Sequence, residues 1–219
     1  MLLPSQRFVP QPRPPTRPLL LLDVMDTMIV DPFFRGFHRD LFGLASVESL
    51  FAVKDRASFV AFECGEIDEA EHFATYFCDR REVDGERIKA YMRARYAWVD
   101  GMRELLTELR GLGVQLATCS NYPAPWAPLV EEATGLSSVV PWAFISGECG
   151  SRKPSRDAFA AALDVVGCAA DDVLFVDDAS ANCEGAREAG IEAVRFESAA
   201  QLRAYLRARH FPQLRGHPD

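Results

Sequence analysis

Short continuous apolar runs recur along the chain, and each stops abruptly on polar residues. Leu19–Leu22 runs into Asp23, and Val114–Ala117 leads into Thr118, Cys119, Ser120 and Asn121. Val139–Ile145, apolar apart from Pro141, ends at Ser146 and Gly147. Val173–Val176 ends in Asp177 and Asp178, and Ala193–Phe196 closes the series. Runs without polar alternation predict strands buried on both faces, as in a parallel sheet covered by helices. Helical spacing fills the intervals. Met102, Leu105, Leu106 and Leu109 follow the i, i+3, i+4, i+7 rule and stop at Gly111 and Gly113. Trp126, Leu129, Val130 and Ala133 do the same before Gly135, and Phe159, Ala162, Leu163 and Val166 before Gly167, with Ser155 placed as an N-cap. Leu202, Tyr205 and Leu206 mark a last helix. Strand alternating with helix predicts an α/β fold, a doubly wound parallel sheet of Rossmann-like type.

One interval breaks the rhythm. Roughly 90 residues separate the first strand from the second, where a crossover needs about a dozen. That stretch is itself helical in pattern: Asp68 and Glu71 make a capping box ahead of Phe73 and Phe77, and Ile88, Tyr91, Met92 and Tyr96 line one face. Residues 31–100 are therefore expected as a helical cap over the C-terminal edge of the sheet, with residues 19–30 and 101–210 as the core. The cap's many aromatics (Phe33, Phe34, Phe37, Phe42, Phe51, Phe59, Phe62, Phe73, Tyr76 and Phe77) are expected mainly as its own core, a few walling a pocket. Lys54 and Lys89 are expected as solvated lysines, and His38 and His72 as surface or helix-face residues. Residues 1–18, with six prolines, three arginines and no acid, predict a disordered leader, or the remnant of an organelle-targeting peptide. Residues 211–219 are expected as a tail.

Composition changes the picture little. A net charge of −8 argues against nucleic acid or an anionic membrane as partner, and no apolar run reaches the ~18 residues needed to cross a bilayer. An anionic substrate remains compatible, because a bound metal overrides the global field locally. The six cysteines are scattered, with no CxxC pair. They predict reduced, mostly buried thiols in a reducing compartment, the cytoplasm or an organelle interior.

The chemistry lies where strands end. In an open parallel sheet the C-terminal strand ends meet in one crevice, so Asp23, Ser120-Asn121 and Asp177-Asp178 should converge there. Lys153-Pro154 opens the helix before the third cluster. Taken singly, these are ordinary: aspartates cap helices, Ser-Asn makes turns, and a lysine is usually solvated. Together they suggest phosphoryl chemistry, with carboxylates for a hard divalent cation and a lysine, hydroxyl and amide for phosphate oxygens.

These residues resemble the motifs of the haloacid dehalogenase-like hydrolases, in order, from Leu19 to about Leu206. LLLLDVMDT at Leu19–Thr27 supplies the nucleophile Asp23 and Thr27. LATCSN at Leu116–Asn121 supplies Ser120, Lys153 stands for the third motif, and LFVDDASAN at Leu174–Asn182 supplies the acidic pair. NCEGAREAGI at Asn182–Ile191, ECGEI at Glu63–Ile67 and DGMRELL at Asp100–Leu106 resemble the branch with a helical cap after the first strand. The resemblance implies a hydrolase acting on a small phosphorylated metabolite through an aspartyl intermediate on Asp23. It implies Mg²⁺ held by Asp23, the Met25 carbonyl and Asp178, with Asp177 assisting. Lys153 would pair with Asp23, while Ser120 and the Asn121 amide would bind phosphoryl oxygens.

One departure matters. Phosphatases of this family carry an acid/base aspartate two residues after the nucleophile, and here that position is Met25. Asp26 is the neighbouring candidate, although a one-residue offset turns a side chain to the opposite side. Three readings follow: a Mg²⁺-dependent phosphatase-type hydrolase, an impaired member that keeps the pocket for binding, and a metal-independent dehalogenase-type hydrolase. The acidic pair Asp177-Asp178 argues against the third.

Overall fold

The computed structural model describes residues 1–11 and 18–216. Five parallel strands form one sheet: β1 (Leu19–Leu22), β2 (Leu116–Ser120), β3 (Phe144–Ile145), β4 (Val173–Asp177) and β5 (Glu192–Arg195), in the order β3-β2-β1-β4-β5. β1 pairs with β2 from Leu20 opposite Leu116, and with β4 from Leu19 opposite Val173. All four leucines of β1 are fully buried. The reason is the period-2 alternation of a strand sandwiched between two helical layers. Leu20 and Leu22 enter one core and Leu19 and Leu21 the other, and β4 divides likewise, Leu174 and Val176 against Val173 and Phe175.

The first core is closed by helices α6 (Met102–Gly111), α7 (Ala127–Thr134) and α11 (Ala199–Arg209) through Leu105, Leu109, Val130, Leu202 and Leu206. Past the one-turn α8 (Ser146–Cys149), the second is closed by α9 (Arg156–Val166) and α10 (Ser180–Glu188) through Phe159, Ala162 and Ala186. The Ser155 hydroxyl caps α9 by accepting from the Ala158 amide at 3.2 Å. Gly185 is where α10 meets the chain just after Lys153: a Cβ there would lie 2.5 Å from the Pro154 carbonyl oxygen. The sheet order reverses at β1, so the crevice opens at the C-terminal ends of β2, β1 and β4.

Between β1 and α6 the chain folds into five short helices: α1 (Phe37–Phe42), α2 (Val47–Val53), α3 (Arg56–Glu63), α4 (Glu69–Ala74) and α5 (Gly85–Arg93). Side-chain caps start α2 to α5. Ser46, Asp55, Asp68 and Asp84 accept from the amides of Ser49, Ser58, Glu71 and Arg87. The expected cap at Asp68 is present, but α4 stops at Ala74, short of Phe77. Phe77 instead pairs with Lys54 in an antiparallel bridge, flanked by Asp55 N–H donating to the Tyr76 carbonyl and Cys78 N–H to that of Val53. Where α3 ends, Gly65 (φ 71°) approaches the Gly147 carbonyl so closely that a Cβ would overlap it.

Three expectations need correction. The expected strand over Val139–Ile145 shrinks to Phe144–Ile145. Trp142 pairs instead with the amino-terminal segment, its amide donating to the Gln6 carbonyl and its carbonyl accepting from Phe8. Residues 1–11 are thus not a disordered leader: Leu2 is buried, and Arg7 pairs with Glu148 at 2.6 Å. Backbone pairing at a sheet edge holds the segment despite its prolines. The rest of that leader, residues 12–17, lies outside the described residues. Likewise Phe211 and Leu214 are buried in the first core and not in a free tail, because two large apolar side chains reward docking. All six cysteines are free thiols, with Cys64, Cys119 and Cys183 buried. No helix among the described residues is long and apolar enough to cross a membrane.

Candidate active site

The strand ends meet as the topology requires. Asp23 follows β1 directly and is anchored by its amide donating to the Val176 carbonyl at 2.9 Å. The Lys153 ammonium reaches in from the loop before α9 and donates to Asp23 Oδ1 at 2.7 Å and Asp177 Oδ2 at 2.6 Å. Lys153 is 1% exposed, Asp23 7% and Asp177 0%, so this is a buried charge triad and not a surface ion pair. Asp177 is the hub. Its two oxygens also accept from the Asn182 amide at 3.1 and 3.0 Å and from the Ala179 N–H at 2.9 Å. Thr27, fully buried, holds the next residue by accepting from the Asp178 amide at 3.1 Å.

Electrostatics sharpen the picture. Burial pushes the Asp23 carboxyl up and Asp177 adds to this, against the pull of the Lys153 ammonium. Asp178 is raised by burial and by Asp177, while the two carboxylates raise Lys153 over its burial penalty. Three carboxylates face one ammonium, and one oxygen from each of Asp23, Asp177 and Asp178 lies within 4.8 Å of the others. That surplus of negative charge in a low-dielectric site, offered by oxygen donors, fits a hard divalent cation such as Mg²⁺. Asp177 is already bonded on both oxygens, which leaves Asp23 and Asp178 as the better placed pair for direct contact.

The remaining expected site residues fall differently. Asn121 lines the cavity, and its side chain is locked to the Lys153 backbone in both directions, at 2.8 and 2.9 Å. Ser120, at the last position of β2, is 1% exposed, and its hydroxyl has no hydrogen-bond partner. An unsatisfied buried hydroxyl is costly, and this one directly precedes Asn121 on the cavity wall. Met25 lines the cavity beside Asp23. Asp26 also borders it, but in a left-handed conformation (φ 54°), and its Oδ1 accepts from the Asp31 amide at 2.9 Å and from Arg35 at 2.7 Å. Asp26 therefore pins the turn after β1.

The opposite wall goes well beyond the few pocket-lining aromatics that the sequence leads one to expect. The cavity, of about 300 Å³, is walled across from Asp23 by Phe33, Phe34, Phe37, Phe51, Phe59 and Tyr76 from the helical stretch. Expected as a solvated lysine, Lys54 is instead 5% exposed and lines this same cavity. Its ammonium lies 3.9 Å from the Phe59 ring centre, 4.7 Å from Phe33 and 4.9 Å from Tyr76. Burial lowers its pKa to about 7, partly offset by Glu63 and Asp31. The sequence signal for this is faint: Phe51 a few residues before and Phe59 a few after, and an end-of-helix position. Lys89, by contrast, pairs with Glu69 and Glu86 away from the site. His72 is wholly buried, stacked on Phe62 and bonded to the Ser58 hydroxyl at 3.1 Å, and burial drops its pKa to about 4. Glu63, also on the cavity, meets Arg152 at 2.6 Å as an ion pair off hydrogen-bond geometry, tying α3 to the loop that carries Lys153.

Comparison with known proteins identifies the family of the fold. A family model for haloacid dehalogenase-like hydrolases matches residues 30–190, beginning just past the Asp23 turn. Flavin mononucleotide hydrolase 1 of Arabidopsis thaliana, chloroplastic by its name, is 35% identical over 185 residues, covering 84% of this chain and 74% of the relative. Among solved structures, a HAD family enzyme of Bacteroides thetaiotaomicron superimposes with a TM-score of 0.70 at 20% identity over 87% of this chain and 98% of that one. The same enzyme in complex with magnesium and inorganic phosphate gives 0.66 at 21% identity, over 83% and 95%. The L-2-haloacid dehalogenase of Xanthobacter autotrophicus gives 0.61 at 16% identity, over 89% and 84%. At such identities the solved structures speak for the fold alone. With the family model covering most of its length and the strand-end constellation in place, this chain belongs to the haloacid dehalogenase-like hydrolases.

Proposed function

We propose that this hydrolase is a Mg²⁺-assisted phosphomonoesterase whose nucleophile is Asp23, with flavin mononucleotide the first substrate to test. The observation that carries the reading is the buried Lys153 ammonium, bonded to both Asp23 and Asp177, with the orphaned Ser120 hydroxyl at the end of the neighbouring strand β2 as a second support. Asp23 attacks phosphorus, the bond to the leaving oxygen breaks, and water then cleaves the aspartyl phosphate. Lys153 makes the Asp23 carboxylate and an incoming phosphoryl anion compatible at close range. Ser120 and the Asn121 backbone amide take up phosphoryl oxygens, and Asp177 positions Lys153 through its hydrogen bonds. Held by Asp23, Asp178 and the Met25 carbonyl, Mg²⁺ would neutralise the surplus anionic charge and polarise the phosphoryl group.

General acid–base help, worth about 10²–10⁴ in rate, has no carboxyl at position 25 to supply it. Asp26 is not a convincing substitute, because Arg35 and the Asp31 amide already hold it. Residues 31–100 act in this reading as the cap that selects the leaving group, over a core of 19–30 and 101–210. The named relative and its chloroplast address support FMN as substrate and an organelle interior as compartment. The acidic pair beside Asp23 disfavours metal-free dehalogenation.

The test is turnover of FMN and of p-nitrophenyl phosphate with and without Mg²⁺. Both should be hydrolysed, chelation should stop both, and Asp23→Asn should lower kcat on the order of 10⁴-fold or more. Full activity in Asp23→Asn would sink the assignment. Absence of turnover in well-folded protein that still binds Mg²⁺ would favour an impaired, ligand-binding member.

A further inference from the structure

Lys54 is a buried cation with no carboxylate at ion-pair distance among the described residues. Burying a charge without a hydrogen-bonded partner is expensive, and the surrounding ring faces with the more distant Glu63 and Asp31 offset only part of that cost. The ammonium is not sealed in, since Lys54 is part of the cavity lining. The backbone on either side is clamped, by α2 before it and by the bridge to Phe77 across from it. The three rings around it, Phe33, Phe59 and Tyr76, also line the cavity and present flat apolar faces. Phe33 is itself in contact with Phe51 at 5.6 Å, another cavity residue. The wall facing the nucleophile therefore offers stacking surface around two polar groups that the protein leaves without a hydrogen-bond partner, the Lys54 ammonium and the buried Tyr76 hydroxyl.

Resting on the phosphomonoesterase reading, we propose that Lys54 is a specificity-determining residue: it donates to an oxygen or ring nitrogen on a planar heteroaromatic leaving group stacked among Phe33, Phe51 and Phe59. The substrate class is a phosphate ester of a flat, carbonyl-bearing ring. The phosphate faces Asp23 and Lys153, and the acceptor edge of the ring faces Lys54. An aromatic wall alone would bind any apolar ring; the donor selects one with an acceptor, because a ring without it leaves the ammonium buried and unpaired. The cavity volume of about 300 Å³ suits a small molecule and sits at the small end of ligand pockets.

The experiment compares wild type, Lys54→Met and Phe59→Leu on two substrate sets with Mg²⁺. One set carries rings: FMN, pyridoxal 5′-phosphate and uridine 5′-phosphate. The other is ringless: ribose 5-phosphate and glycerol 3-phosphate. Lys54→Met should raise KM for the preferred ring phosphate tenfold or more, with kcat changed much less, and its loss in kcat/KM should be at least tenfold larger on ring than on ringless esters. Phe59→Leu should move in the same direction by a smaller factor. The preferred ring size follows from which of the three ring esters responds most. Equal losses on both sets, or a loss confined to kcat, would overturn the proposal. Riboflavin binding, read by quenching of flavin fluorescence, keeps the two readings apart. If wild type hydrolyses nothing yet binds riboflavin tenfold more tightly than Lys54→Met, the phosphatase reading fails and the Lys54 subsite stands. If turnover is normal and neither KM nor riboflavin binding responds to Lys54→Met, the subsite fails alone.

Discussion

The two walls of the cavity are built on opposite principles. On the sheet side the charged groups are matched with partners that hold them in place, though carboxylates outnumber the ammonium: Lys153 bridges Asp23 and Asp177, Asn182 and the Ala179 amide also donate to Asp177, and Thr27 holds the Asp178 backbone. On the helical side the surface is aromatic, with Lys54 left without an anion. The matched wall is a device for holding charge at fixed positions, which is what phosphoryl transfer asks of a protein. The unmatched wall is suited to recognition, since its polar group acquires a partner only from outside. In the proposed reading, chemistry sits on the rigid strand ends and selection on short helices joined by loops.

Removing the central cation of the matched wall should do the most damage. Lys153→Met leaves Asp23 and Asp177 buried against each other, and losing one partner of a buried ion network costs about 3–5 kcal/mol. The variant should melt well below wild type, regain part of that loss in millimolar Mg²⁺, and lose turnover on the order of 10³-fold. An unshifted melting temperature would show that the three groups are not coupled as drawn. Ser120→Ala separates function from stability on the same wall. Removing an unsatisfied buried hydroxyl should leave the melting temperature unchanged or slightly higher, while kcat/KM for phosphate esters falls by about tenfold to a hundredfold. A destabilised variant with normal kinetics would place that hydroxyl in the fold and not in the site.

The smallest effect, and of opposite sign, belongs to the unmatched wall. The pKa of Lys54 falls from 10.5 to about 7 on folding. Below pH 7 both folded and unfolded chains carry the proton, and the burial cost is felt in full. Between pH 7 and 10.5 the unfolded chain holds a proton that the folded one has released, so stability rises with pH across that window. Lys54→Met should therefore stabilise the protein by on the order of 1–2 kcal/mol near pH 6, with the gain shrinking toward pH 10. Asp31, Glu63 and His72 share this environment, so melting curves of both proteins are compared across pH 6–10. A destabilised Lys54→Met at low pH would mean that the cation has a partner in the fold after all.

The matched wall was legible because each of its acids follows directly on a buried apolar run. Leu19–Leu22 before Asp23 and Val173–Val176 before Asp177 announce both the strand and the edge where its last residue emerges. The unmatched wall was not. Helices α1 to α5 are six to nine residues long, too short for spacing to separate an aromatic that faces a cavity from one packed in a core. Lys54 stands one residue past α2, where periodicity says nothing about direction. Lys54, Glu63 and His72 are all buried polar groups that composition would assign to the surface. The amino-terminal segment failed for a related cause: its prolines exclude a helix, but they do not forbid edge pairing with Trp142.

By itself the sequence determined a doubly wound sheet, the order of its polar strand ends and the helical stretch between Asp23 and Gly101. These are local properties, carried by the alternation and length of apolar runs. Tertiary structure alone decided that Lys153 is buried between two carboxylates 130 and 24 residues away along the chain, that Asp26 turns to Arg35, and that Lys54 has no anion. Burial and pairing depend on partners brought together only by folding, and the charge state of a lysine follows from those partners.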